Sequence, residues 1–241
     1  DARLKVTPAR RAALETLRAV RAGELADRAL DRILDRVPPR DRPWTQELVY
    51  GTFRLRGRLD HLLERRVRRG LASLEPDVLD TLRLGAYQLL EMGSVPAYAA
   101  VSQSVEMAKA VSGRGAAGLV NGVLQALRRA RDKTESSLEG EYPSFEDEPI
   151  AFLSSWGSHP EWLVERWVAR FGADGARALV EANNRRPELY IRPVAMPVEA
   201  AGERLAAVGV GAEPVAFAPD ALRVAPPASV RDVFEAVPAI V

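Results

Sequence analysis

Apolar side chains recur at three- and four-residue intervals through the first half of the chain, the pattern of helices with one buried face. In "TPARRAALETLRAVRAG", Ala9, Ala13, Leu14, Leu17 and Val20 form one stripe. Thr7 suits the N-cap, Pro8 the first helical position and Gly23 the stop. "ELADRALDRILDRV" repeats the pattern with Leu25, Leu30, Ile33, Leu34 and Val37 inward, ended by Pro38 and Pro39. "DRPWTQELVYGTFRLRGRLDHLLERRVRRG" predicts a helix capped by Asp41, with Leu48, Val49, Phe53 and Leu55 on its apolar side. Gly57 is the expected break before a second helix that stops at Gly70. "EPDVLDTLRLGAYQLLEMG" is apolar all round, with Leu79, Leu82, Leu84, Ala86, Leu89 and Leu90, and so predicts a central helix. "PAYAAVSQSVEMAKAVSG" and "AAGLVNGVLQALRR" complete a predicted bundle of about seven helices.

The period changes after "RDKTESSLEGEYPSFEDEP", a polar, acidic stretch without apolar periodicity that reads as a linker. "PIAFLSSW", "PEWLVERWVARFG" and "ADGARALVEANN" predict short helices. "ELYIRPV" alternates as a strand does, "MPVEAAGERLAAVGV" returns to a helix, and "EPVAFAP" and "ALRVAPP" predict two more strands. The fold class expected is therefore mainly α: a helical domain over residues 1–134, a linker over 135–148 and a small α+β domain over 149–241.

Composition narrows the chemistry. The chain of 241 residues has no cysteine, which excludes disulfides, thiolate metal sites and cysteine nucleophiles. It has two histidines, His61 and His159, too far apart in sequence for a histidine-rich metal site. There is neither an apolar run of membrane-spanning length nor an apolar signal segment behind "DARLKVTPARR", so the expected compartment is the cytoplasm, with no membrane partner. The net charge of +1 is unevenly divided: 24 Lys and Arg stand against 15 Asp and Glu up to Arg131, and 10 against 18 beyond it. A basic first half suits a polyanion, though a GC-rich genome would also produce many arginines.

Arg3 and Lys5, followed by Arg10 and Arg11 in the first helical turn, are the leading phosphate candidates. Cations there oppose the helix dipole, so folding alone does not favour them. Arg185 and Arg186 in "NNRRP" are a second basic pair before a strand. Arg65, Arg66, Arg68 and Arg69 sit at a helix C-terminus, where cations are favoured in any case. Asp60, His61 and Glu64 share one helical turn, but this pattern more often makes a solvated face than a metal site. Trp156, Trp162 and Trp167 could stack on bases, although a small core with Leu153, Leu163 and Phe171 is the plainer reading. "GVGAEP" lies between a helix and a strand, the wrong order for a dinucleotide loop, and reads as a turn. No phosphate loop, zinc-protease or serine-hydrolase motif occurs.

"WTQELVYGTFRLRGRLDHLL", "LRLGAYQLLEMGSVPAYAAVSQSVEMAK" and "AGLVNGVLQALRR" resemble the NusB-like helical fold. That fold occurs in the NusB antitermination factor and in the ribosomal RNA cytosine-C5 methyltransferases of the Sun/Fmu (16S rRNA methyltransferase B) family. "SHPEWLVERW" followed by "ALVEANNRRPELYIRP" resembles the segment that succeeds the NusB-like domain in those methyltransferases. The resemblance extends from about Thr7 to about Asp232. It implies the N-terminal RNA-binding portion of an enzyme that transfers methyl from S-adenosylmethionine to small-subunit ribosomal RNA, with its own catalytic methyltransferase domain as a further partner. It also makes Arg192, in "IRPVAM", an RNA candidate, but the family's following Asn is absent. The family's paired cysteines and its "D-x-C-A-A-P-G-G-K-T"-like S-adenosylmethionine loop are absent as well. The expectation is thus a chain silent in methyl transfer, with no cofactor of its own. The alternative is a non-enzymatic NusB-like factor in antitermination or ribosomal RNA processing. The resemblance further implies that Gly118, Asn121 and Gly122 form a packing surface inside the bundle, with the Asn121 amide bonded to nearby backbone.

Overall fold

A computed structural model describes residues 6–133, 138–225, 230–238 and 240. They form two compact units, Asp1–Asn184 and Arg185–Val241.

Every regular element described in the first unit is a helix. Helix α1 (Pro8–Arg21) starts at Pro8 and ends in a left-handed Gly23, φ 100°. There the Glu24 amide reaches Ala19 O and the Gly23 amide reaches Val20 O, the paired bonds of a Schellman stop. Helix α2 (Ala26–Leu34) buries Leu30, Ile33 and Leu34, but Leu25 is 65% exposed. Leu25 occupies the N-cap, outside the helical stripe that would turn it inward. Helices α3 (Arg42–Arg54) and α4 (Arg56–Glu64) divide at Leu55, φ −102° and ψ 19°, and Asp41 makes no side-chain cap.

Gly57 lies inside α4 rather than at the break. Its amide donates to Ser158 Oγ at 2.8 Å, and a β-carbon there would stand 3.1 Å from Ser158 Cα. The glycine permits a close chain crossing within this unit, and the sequence signal of a helix break had that other cause.

Helix α5 (Pro76–Leu90) is central as predicted: it packs against α1, α3, α4 and α6 and buries Leu82, Leu84 and Ala86 completely. Helix α6 (Ala97–Lys133) is broken at Gly113, φ 80°. Its second segment turns Val120, Leu124 and Leu127 fully inward. Gly118, Asn121 and Gly122 face solvent, with nothing within 4 Å of a β-carbon built on either glycine. The expected inner packing surface is therefore an outer face, because the β-branched and leucine positions of the same helix already fill the core side.

The expected linker, 135–148, is partly structured. Residues 134–137 lie outside the described residues, but Leu138 and Tyr142 pack on the bundle core. The Tyr142 ring stacks on His61 at 4.9 Å. Helices α7 (Pro149–Ser155) and α8 (Glu161–Asn184), the latter broken at Gly172, follow in the same unit. Arg58 Nε donates to Trp156 O at 2.7 Å and its guanidinium lies 4.7 Å from the Trp156 ring centre, which fastens α7 to α4. These contacts lie within the first compact unit, which runs to Asn184.

The second unit carries β1 (Leu189–Ile191), α9 (Val198–Ala207), β2 (Ala212–Val215), β3 (Ala218–Val224) and α10 (Val230–Ala236). The strands form an antiparallel sheet in the order β1-β3-β2, with Arg223 opposite both Tyr190 and Glu213. Strand alternation places Leu222 and Val224 inward with Ile191, Ala201, Leu205 and Val233, and leaves Arg223 outward. The α+β expectation holds for this unit.

Candidate nucleic-acid interface

Adjacent arginines at the start of α1 have opposite surroundings. Arg10 is buried. Its Nε donates to Gln88 Oε1 at 2.7 Å, its Nη1 donates to Thr7 Oγ1 at 3.2 Å, and its guanidinium lies 4.8 Å from the Trp44 ring centre. Burial lowers its pKa from the ordinary arginine value. Arg10 therefore ties α1 to α5 and α3, with its guanidinium engaged within the bundle. Arg11, one position on, is exposed, and its side chain has no hydrogen-bond or ion-pair partner among the described residues. Arg3 and Lys5 lie outside the described residues.

Further arginines of the bundle are held internally. Arg18 grips Asp77 through two bonds of 2.9 and 2.7 Å, and Arg21 bridges Asp77 and Asp80. Arg83 joins Asp80 to Asp60, at 3.1 and 2.7 Å. The Arg18 hydrogen bond holds the Asp77 carboxyl below its ordinary value, against an opposing effect of burial. Burial raises the Asp80 carboxyl despite its two arginines. Arg66 pairs with Glu141 at 2.5 Å. Each such pair cancels, so the positive excess of the first half resides on cations without partners. Among the described residues these include Arg11, Arg68, Arg69, Arg114 and Arg129, all exposed.

The three-residue cluster on α4 is structural. Asp60 holds Arg83, Glu64 Oε2 accepts from the Leu71 amide at 2.8 Å, and His61 Nε2 lies 2.9 Å from Glu141 O. Of the tryptophans, Trp156 stacks on Phe152 at 5.0 Å and Trp167 meets His159 edge-on at 5.2 Å. Trp162 is 60% exposed and Phe171 is 51% exposed, so neither joins the expected small core. That core is Leu153, Val164, Ala176 and Val180. The sequence reading missed Arg166 and Arg170. Their four-residue spacing from Trp162, on the side of α8 away from Val164, was the available signal.

In the second unit Arg185 is exposed. Arg186 lines a hollow of about 280 Å³ together with Glu188, Glu213 and Arg223. Arg223 bridges Glu188 and Glu213 at 2.9 and 2.6 Å. Arg192 pairs with Asp220 at 2.9 Å, but both side chains are more than half exposed, so the pair is weak and the guanidinium still faces water. The residues present do not fit an S-adenosylmethionine site. The sheet is antiparallel, and the Gly209–Pro214 stretch leads from α9 into β2, the reverse of a strand–loop–helix cradle. No described helix is long and apolar enough to cross a membrane.

Residues 7–129 match the NusB family, and residues 159–231 match the ferredoxin-like domain of RsmF/B-like methyltransferases. A Mycobacterium tuberculosis protein with a methyltransferase name is 38% identical over 195 residues, which are 78% of this chain and 42% of its own. The Bacillus subtilis "Probable ribosomal RNA small subunit methyltransferase B" is 33% identical, over 73% of this chain and 38% of its own. The Pseudomonas putida "Ribosomal RNA small subunit methyltransferase B" is 34% identical, over 76% and 39%. The chain thus spans about 40% of the length of these relatives. The crystal structure of PH0851 has the same fold across 95% of this chain and 51% of its own, with a TM-score of 0.65 at 16% identity.

Proposed function

We propose, for a chain that belongs to the NusB family over residues 7–129 and carries an RsmF/B-type ferredoxin-like domain behind it, the function of the RNA-binding region of a small-subunit ribosomal RNA methyltransferase. The observation that carries this reading is the order of the two domains. They stand in one chain, beside relatives named for that activity. An antitermination factor of the NusB type has no need of the second domain.

Methyl transfer to cytosine C5 calls for a thiolate that adds at C6, because the ring carbon is otherwise a weak nucleophile. These 241 residues contain no cysteine, so they bind and position RNA and leave the chemistry to residues supplied elsewhere. Arg11, Arg185 and Arg192 are the RNA contacts this reading favours, since each is exposed. Arg186 joins them from the rim of its hollow.

The test is a single incubation of the chain with small-subunit ribosomal RNA and methyl-labelled S-adenosylmethionine. The expected result is RNA retained by the protein and no label in the RNA. Label incorporated by a preparation that mass spectrometry shows free of any longer methyltransferase would overturn the catalytic silence. Failure to retain RNA would overturn the binding role, and capture of transcription elongation proteins without RNA would favour antitermination.

A further inference from the structure

The first segment of α8 presents an aromatic ring and two cations that folding does not use. Trp162, Arg166 and Arg170 are separated by four residues each and therefore run along one side of the helix, about 6 Å apart along its axis. The opposite side buries Val164 completely in the small core. Trp162 is 60% exposed. Arg166 and Arg170 have no carboxylate partner among the described residues, and as like charges one turn apart they oppose each other. Arg170 rests 5.5 Å from the Phe171 ring centre, a contact that keeps its charge at the surface. Glu161 and Glu165 flank the stripe in the first helical turns, where the helix dipole favours negative charge.

We infer that this stripe is a stacking site for an unpaired base of RNA, Trp162 taking the base face and Arg166 and Arg170 the neighbouring phosphates. The inference rests on the RNA-binding reading above and adds to it a preference for single strands. An exposed indole with two guanidiniums that no carboxylate neutralises complements a nucleotide, which offers a flat ring and an anion together. A protein-docking face would instead need a contiguous apolar patch; the exposed rings here, Trp162 and Phe171, are interrupted by the two arginines and by Glu161 and Glu165. Duplex RNA hides its base faces and cannot use the ring.

The experiment titrates the full 241-residue chain against a short fluorescent oligouridine and a duplex RNA of equal length, with circular dichroism confirming that each variant is folded. The wild type should prefer the single strand. Trp162→Ala should weaken single-strand binding roughly 5- to 100-fold, the effect of one lost base–aromatic stack, and leave duplex binding unchanged. Trp162→Phe should recover part of the loss. Arg166→Ala with Arg170→Ala should flatten the single-strand salt slope by about 1.4 for two lost phosphates. Wild-type binding that Trp162→Ala does not alter would overturn the stacking site while the RNA-binding reading stands. Should Trp162→Ala spare RNA and abolish association with the remainder of a longer relative supplied in trans, the stripe is a protein-docking face and the inference falls. Absence of binding to either RNA overturns both.

Discussion

The second segment of α6 and the first segment of α8 both follow helical periodicity, and both reverse what residue size suggests. In α6 the small residues Gly118, Asn121 and Gly122 face water while Leu124 and Leu127 fill the core. In α8 one of the two tryptophans, Trp162, faces water, while Val164 fills the core and Trp167 packs against it. Start-of-chain Arg10 reverses a third expectation, being buried although charged. Burial is decided by angular position around a helix and by what that side packs against. Residue type sets only the cost of the outcome.

The most severe way to challenge this contrast is Leu124→Ala. Leu124 is fully buried beside Gly85 of α5, so chemical denaturation should register a loss of about 2–5 kcal/mol. A loss near zero would mean that the α6 core side is assigned to the wrong residues. Arg10→Ala comes next. It removes the donor to a buried Gln88 oxygen and should lower stability by about 1–3 kcal/mol, whereas Arg11→Ala should stay within about 0.5 kcal/mol. Equal effects from the two would erase the distinction between them.

Gly118→Ala sharpens the comparison from the other side. With helical backbone and open space around the added methyl, it should raise stability by about 1 kcal/mol. Destabilisation would show that the face is packed after all. Among the variants expected to lose stability, Asp77→Asn should lose least, up to about 1 kcal/mol at neutral pH for a partly exposed ion-pair network. Because the native Asp77 carboxyl titrates below its ordinary value of 3.8, its contribution is full above that value. It disappears as pH falls through the lower native value. The stability gap between wild type and variant should therefore be constant near neutrality and close in acid.

The helix order, the α+β second unit and the central position of α5 were legible from periodicity, because apolar stripes of several residues average out local exceptions. The helix break at Leu55 was not, since Gly57 carries the stronger local signal and serves a contact with Ser158, 101 positions away. The linker held a similar surprise. Glu141 and Tyr142 look like loop residues until Arg66 and His61 are set beside them. For the interface, sequence identified clusters of arginine but not their partners. Arg10 and Arg11 are indistinguishable until the bundle places Gln88 and Trp44 around one of them.

RNA binding by the exposed cations, with the buried arginine taking no part, is tested most directly by the salt dependence of affinity for small-subunit ribosomal RNA. Wild type, Arg11→Ala and Arg10→Ala should be compared under conditions where all three are folded. The expected result is a linear fall of log affinity with log salt. The slope should flatten by about 0.7–0.9 in Arg11→Ala and stay unchanged in Arg10→Ala. An affinity indifferent to salt, or a slope that responds to Arg10 and not to Arg11, would contradict it.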